Sequence, residues 1–213
     1  MLLIGAAALL AFPGCGSGAQ QSQRSNKAPE ERAPRADFYA CEDCEGALER
    51  PAEALASHSR IARDDEPGER MRIEGVVYRT DGATPAENVV IYAYHTDSGG
   101  RYSRGTPQTQ ASRRHGLLRG WVRTGPDGRY SFDTIKPGPY PGQTMPAHVH
   151  LTVLEPGRRP YWIDDIVFEG ELGVTDEYRR QRENRGGNGI VRLARENGVL
   201  IARRDIILEP HPE

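Results

Sequence analysis

The 213-residue chain has almost no net charge. Its 28 Lys and Arg stand against 30 Asp and Glu, a formal balance of −2. A bulk electrostatic nucleic-acid binder needs a basic face, so that class is excluded and no nucleic-acid partner is expected. Apolar residues make up 37% and aromatic residues 7%, and mean hydropathy is −0.67. A single run, Met1 to Phe12, is long and apolar. It falls short of the roughly 20 residues that span a bilayer. There are three Cys, no second CxxC and no HxxxH, so a zinc site built from two such pairs is excluded. No internal repeat stands out. What abounds is Gly, with 24, and Pro, with 16. That supply favours many turns and short strands over long helices.

The uncharged run Met1–Phe12 fits the apolar region of an export signal. The following Pro13-Gly14-Cys15 resembles a bacterial lipoprotein cleavage site, in which the Cys is lipidated and begins the mature chain. The expectation is a signal peptide over 1–14 and a disordered tether over 15–36, rich in Ser, Gln, Gly, Pro and charge. The protein would then be exported, bacterial and membrane-anchored only through lipid at Cys15, on the periplasmic or outer surface, or else secreted. Setting Cys15 aside leaves Cys41 and Cys44. An even remainder in an exported chain suggests a disulfide, with a redox pair or half a zinc site as alternatives. Glu42, Asp43 and Glu45 surround the thiols, and negative charge disfavours a reactive thiolate.

Residues 37–69 read as a CxxC-bearing helical extension, with Leu48 and Leu55 spaced for one helix over Glu45–Ile61. From residue 70 the pattern changes to short strands: Met71–Tyr78, Asn88–Tyr94, Arg129–Phe132, Ala147–Leu154, Trp162–Phe168 and Val199–Leu208. Thr175–Arg182 is a second helix candidate, and Arg182–Gly189 a polar, glycine-rich loop. Short strands punctuated by Gly and Pro predict an all-β fold, an antiparallel β-sandwich over 70–213.

His148-Val149-His150 is the sharpest local feature. Residues i and i+2 of a strand share a face, so backbone geometry alone brings the two imidazoles together. Alone, the pattern also suits ordinary polar strand residues. Upstream stand Tyr140, stiffened by Pro139 and Pro141, and Tyr102, which closes a Gly99-Gly100-Arg101 turn. Two phenols with two imidazoles form a hard O/N set that suits Fe(III) better than Cu(I) or zinc. A bound trivalent ion would depress the phenol pKa strongly from its usual value near 10.

Three stretches resemble the intradiol ring-cleavage dioxygenases, the catechol and protocatechuate enzymes. They are Tyr94-His-Thr-Asp-Ser-Gly-Gly-Arg-Tyr102; Leu118-Arg-Gly-Trp-Val-Arg-Thr124 with Asp127-Gly-Arg-Tyr-Ser-Phe132; and Thr134-Ile-Lys-Pro-Gly-Pro-Tyr-Pro141 through Pro146-Ala-His-Val-His150. With Gly82-Ala-Thr-Pro85 they cover about residues 70–170. The resemblance implies a prealbumin-like sandwich and a non-haem Fe(III) held by Tyr102, Tyr140, His148 and His150. Its partners would be a small aromatic diol and O2, with the ring opened between the two hydroxylated carbons to a muconate-type diacid. Tyr102 or Tyr140, released as tyrosinate, would serve as a catalytic base.

Four positions depart from the family pattern. Met145 stands for its Arg, Tyr94 for its Trp, Asp165 for its Gln, and Gly125 for its Asp. Met cannot donate a hydrogen bond, and a carboxylate makes the pocket more negative, which disfavours an anionic substrate. Tyr94, Arg119, Met145 and Asp165 are the candidate substrate-pocket residues. For Arg119 a surface charge, and for Asp165 a strand-end charge, are the alternatives. His58 and His115 read as solvated, and His95 as a packing residue beside the pocket wall. The competing function is a non-catalytic, exported prealbumin-like module that binds a sugar, polymer or protein.

Overall fold

The computed structural model describes residues 33–42, 44–49, 54–105 and 109–212. The expected signal peptide, Cys15 and most of the tether lie outside the described residues. Eleven strands are described: β1 (His58–Arg60), β2 (Arg70–Tyr78), β3 (Val90–His95), β4 (Arg119–Arg123), β5 (Arg129–Ile135), β6 (His148–Leu154), β7 (Tyr161–Phe168), β8 (Ile190–Val191), β9 (Leu193–Glu196), β10 (Val199–Arg203) and β11 (Ile206–Ile207). Helices are short. A 3-10 helix spans Cys44–Glu49, α1 spans Gln110–His115 and α2 spans Asp176–Gln181, where the Thr175 hydroxyl accepts from the Tyr178 amide as N-cap.

The strands form two sheets. One has the order β1-β5-β2-β10-β9, with β11 also on β2; the other has the order β4-β3-β6-β7-β8. The fold is mostly β, as expected, but it is not purely antiparallel. β1 runs parallel to β5, β10 and β11 parallel to β2, and β8 parallel to β7. Alternation along a strand sets which face is buried and says nothing of a neighbour's direction. Parallel pairing needs a long crossover, and the 169–189 connection carrying α2 supplies one between β7 and β8.

Two expected elements change. The single helix over Glu45–Ile61 is instead the 3-10 helix Cys44–Glu49 followed by strand β1. Pro51 falls inside the expected helix, and proline removes an amide donor and bars helical geometry from the residue before it. The expected strand Val199–Leu208 breaks at Arg204-Asp205 into β10 and β11. There the Arg204 carbonyl approaches β2 so closely that a Cβ on Gly75 would lie 2.0 Å from it. The Tyr130 hydroxyl donates to the same carbonyl at 2.7 Å, and the Val76 amide donates to Asp205 Oδ1 at 2.9 Å. The break therefore carries its own satisfied polar groups.

The inner faces of the sheets enclose one apolar cluster that includes Ile73, Val77, Ile91, Phe132, Val149, Val153 and Ile163. Val149 is 0% exposed. Because strand side chains alternate, burying Val149 turns His148 and His150 to the opposite face. The core thereby fixes where the imidazoles point.

Candidate metal centre

The two histidines come from β6 and the two tyrosines from loops. The tyrosine loops, 97–102 and 136–140, are pressed together backbone to backbone. The Gly138 amide donates to the Asp97 carbonyl at 2.9 Å, and the Thr96 hydroxyl donates to the Gly138 carbonyl at 2.8 Å. A Cβ on Gly100, whose φ is +76°, would lie 1.9 Å from the Pro139 carbonyl oxygen; one on Gly138 would lie 2.4 Å from that of Ser98. Only glycine permits this approach. Asp97 shapes its own turn by accepting from the Gly99 and Arg101 amides at 2.8 and 3.0 Å.

Four side-chain atoms then converge. Tyr102 Oη lies 2.7 Å from Tyr140 Oη and 3.0 Å from His150 Nε2. His148 Nε2 lies 3.1 Å from His150 Nε2 and 3.2 Å from Tyr140 Oη, which is 3.5 Å from His150 Nε2. First-row metal bonds to N and O are roughly 2.0–2.2 Å, so ligands of one ion lie roughly 3–3.5 Å apart.

The proton count says what the cluster needs. His148 Nδ1 faces the Pro146 carbonyl at 2.7 Å, and His150 Nδ1 faces Asp165 Oδ1 at 3.0 Å. Both partners only accept, so each Nδ1 carries the proton and each Nε2 presents a lone pair to the cluster. Five close contacts among four electron-rich atoms therefore have two phenolic hydrogens to share. A cation at their centre relieves that repulsion, and the donor set fits a hard metal ion.

Asp165 reaches His150 because of a β-bulge. Val149 pairs with Ile166 and Leu151 with Ile163, so His150 alone opposes both Asp164 and Asp165. Asp165 lies with the two histidines in a group whose ligand atoms are within 4.8 Å of one another. Its contact is to Nδ1, on the far edge of the ring from Nε2, so it orients the imidazole rather than completing the donor cluster. Asp164 goes the other way, to Arg182 Nη2 at 3.1 Å.

Charge follows environment. Burial, then the hydrogen bond to Tyr140, raises the Tyr102 pKa, and burial likewise raises that of Tyr140. Both phenols thus hold their protons until a cation replaces them. Burial and the neighbouring His150 lower the pKa of His148, favouring its neutral, ligating form. Burial works to raise the Asp165 carboxyl, but its electrostatic contact and hydrogen bond with His150 prevail and hold it below the ordinary carboxylate value.

The other expected pocket residues divide. Tyr94 opposes His150 across the β3–β6 ladder and stacks on its ring, with centroids 4.5 Å apart and planes 24° apart. Met145 is 49% exposed, in the exposed stretch 141–145 just before His148. Arg119 is engaged by Glu49 at 2.7 Å and lies 5.2 Å from the Trp121 ring centroid, so its charge has a partner outside the donor cluster. His95 is a buried packing residue, with Nε2 2.7 Å from the Thr134 hydroxyl. His58 is exposed and lies 3.0 Å from the Ser131 hydroxyl. His115, expected in solvent, is 1% exposed and stacks on Tyr94 at 3.8 Å. His115 ends α1 and its partner lies on β3, and no sequence spacing signals that contact. Cys41 and Cys44 are joined in a disulfide with a Cα–Cα distance of 5.6 Å.

A family model described as Dioxygenase matches residues 47–196. The chain belongs to the intradiol ring-cleavage dioxygenase family. Relatives include the chlorocatechol 1,2-dioxygenase of Rhodococcus opacus, 38% identical in an alignment 126 positions long that covers 51% of this chain and 47% of that protein. The catechol 1,2-dioxygenase 2 of Acinetobacter lwoffii is 30% identical in an alignment 158 positions long that covers 62% of this chain and 55% of that one. The chain thus spans about half the length of these intradiol relatives. The fold is shared with the dioxygenase domain of a carbohydrate-binding fusion protein from Streptomyces sp. SirexAA-E, with a TM-score of 0.54, 23% identity, and coverage of 76% of this chain and 94% of that one. It is shared also with an intradiol ring-cleavage dioxygenase from Tetranychus urticae, with a TM-score of 0.54, 21% identity, and coverage of 75% and 89%.

Proposed function

We propose that the chain is a non-haem Fe(III)-dependent dioxygenase that opens a catechol-type ring with O2 between its two hydroxylated carbons, giving a muconate-type diacid. The observation that carries this reading is the convergence of two phenols and two imidazole lone pairs with too few protons among them. Tyr102, Tyr140, His148 and His150 would hold the ion. When bound, the ferric ion supplies a Lewis acid and a template for the diol and O2. The Pro146 carbonyl and Asp165 keep both imidazoles in the ligating tautomer. The Tyr94 face limits the tilt of His150. Tyr102 or Tyr140, as phenolate, would take a hydroxyl proton from the diol.

Substrate charge follows from two residues. Met145 offers no hydrogen bond or positive charge, and Asp165 adds a negative one beside His150. A neutral catechol is therefore favoured over a carboxylated one such as protocatechuate. The N-terminal motif supports export and lipid anchoring at Cys15 as part of the same proposal. The test is O2 uptake with product analysis on the iron-loaded chain. Catechol is expected to give a ring-opened diacid, with one O2 consumed per ring and faster turnover than protocatechuate. Absence of ring opening with any diol contradicts the activity, and faster turnover of protocatechuate contradicts the charge argument.

A further inference from the structure

We propose that His115 is a positioning residue for the metal-ligating His150, acting through the Tyr94 ring and clamped from behind by the disulfide-pinned segment that ends at Glu49. The proposal rests on the reading of the metal centre given above. The Asp165 bond fixes His150 only within the plane of its ring, so its tilt depends on what lies against its faces. Tyr94 covers one face, and His115 stacks nearly parallel on Tyr94, with 3.8 Å between centroids and 13° between planes. His115 is itself fixed by Tyr92, whose hydroxyl is 2.7 Å from its Nδ1. Tyr92 and Tyr94 share a face of β3, so one imidazole locks both rings.

The clamp comes from Gly46. A Cβ there would lie 2.6 Å from His115 Nδ1 and 2.8 Å from the Tyr92 ring, so the 3-10 helix backbone rests directly on the pair. Three ties hold that backbone down. The Cys41–Cys44 disulfide lies at its start, Trp121 Nε1 donates to the Gly46 carbonyl at 3.2 Å, and Glu49 pairs with Arg119 at 2.7 Å. The stack thus runs from disulfide to metal ligand as Gly46, His115, Tyr94 and His150. Cys41 to Gly46 precede the first residue matched by the family model. The disulfide and Gly46 thus lie outside the matched span, and the rest of the stack lies within it.

The experiment uses the full chain and Fe(III) delivered from a nitrilotriacetate competition buffer. It reads iron affinity, the tyrosinate-to-iron visible band and the melting temperature. His115→Ala removes the ring and is expected to weaken iron binding roughly 10- to 100-fold, the usual cost of losing a residue that orients a ligand, and to shift the band. His115→Phe restores a flat ring on Tyr94 without the bond to Tyr92, and is expected to recover most of the affinity. Gly46→Ala drives a methyl into His115 and is expected to weaken binding without touching any donor; it carries the test if His115→Ala does not fold. The Cys41→Ser/Cys44→Ser chain is expected to fall between wild type and His115→Ala. A lowered melting temperature with wild-type affinity and band in His115→Ala and Gly46→Ala overturns the proposal and leaves the metal centre intact. A wild-type chain that takes up no Fe(III), with His150→Ala indistinguishable from it, overturns both.

Discussion

The histidines and the tyrosines of the donor cluster are delivered by different physics. His148 and His150 sit on a central strand of the second sheet, and the burial of Val149 between them decides their direction. Tyr102 and Tyr140 sit on two loops pressed together at Gly100 and Gly138, with further backbone ties from Leu117 to Ser103 and from Lys136 to Glu69. A strand-borne ligand depends on the whole core, and a loop-borne ligand on a few local backbone contacts. The strand pair is therefore expected to keep its geometry under changes that scatter the loop pair.

The most severe way to break the comparison is to remove a strand ligand. His150→Ala is expected to cost more iron affinity than the roughly 100-fold upper range for losing a ligand's hydrogen-bond partner, with ring cleavage lost alongside. Iron content after desalting checks it, and a variant retaining one iron per chain contradicts it. Next in size, Gly100→Ala forces a methyl against the Pro139 carbonyl at a positive φ. Its expected signature is roughly 10- to 100-fold weaker iron binding with an unchanged far-ultraviolet dichroism spectrum, because the strands are untouched. A lost sheet signal would mean that the loops and strands are not separable in this way.

A smaller effect sharpens the strand side. Asp165→Asn keeps an acceptor for His150 Nδ1 but loses the charge, and is expected to weaken iron binding by about tenfold while raising the protocatechuate-to-catechol rate ratio. An unchanged ratio argues that Asp165 does not act on the substrate. An effect on stability rather than on iron affinity concerns the end of β3. Burial holds His95 at about 4 against an ordinary 6.5, so the folded state binds fewer protons there than the unfolded chain. Its contribution to stability is full above pH 6.5 and falls as pH drops from 6.5 toward 4, by at most about 1.4 kcal/mol per pH unit. Urea titrations at pH 7 and 5 check this: His95→Asn is expected to flatten the difference, and an equal pH dependence in both chains contradicts it.

The same contrast explains what the sequence made legible. The paired histidines follow from period-two geometry and needed no tertiary knowledge. The tyrosines were found through spacing that resembles the family, since nothing local shows that residues 100 and 139 touch. Strands over 71–78, 129–132 and 147–154 were legible because alternation or a flanking Gly/Pro turn marks them in the sequence. Mixed pairing was not, because direction is set by crossovers and by which distant segment fills an edge. The helix over 45–61 was misread because spacing of Leu48 and Leu55 outweighed Pro51. Asp165 was read only as a pocket residue or a strand-end charge, for a bulge leaves no mark in one strand's pattern. His115 was placed in solvent because its stacking partner, Tyr94, is 21 positions away on another element.

The central claim is that two phenols and two imidazoles share one ferric ion. The most direct measurement is the visible absorption spectrum of the purified chain titrated with Fe(III). The account predicts a burgundy protein whose tyrosinate charge-transfer band saturates at one iron per chain and weakens in both Tyr102→Phe and Tyr140→Phe. A colourless protein at saturation, or a band untouched by either substitution, would contradict it.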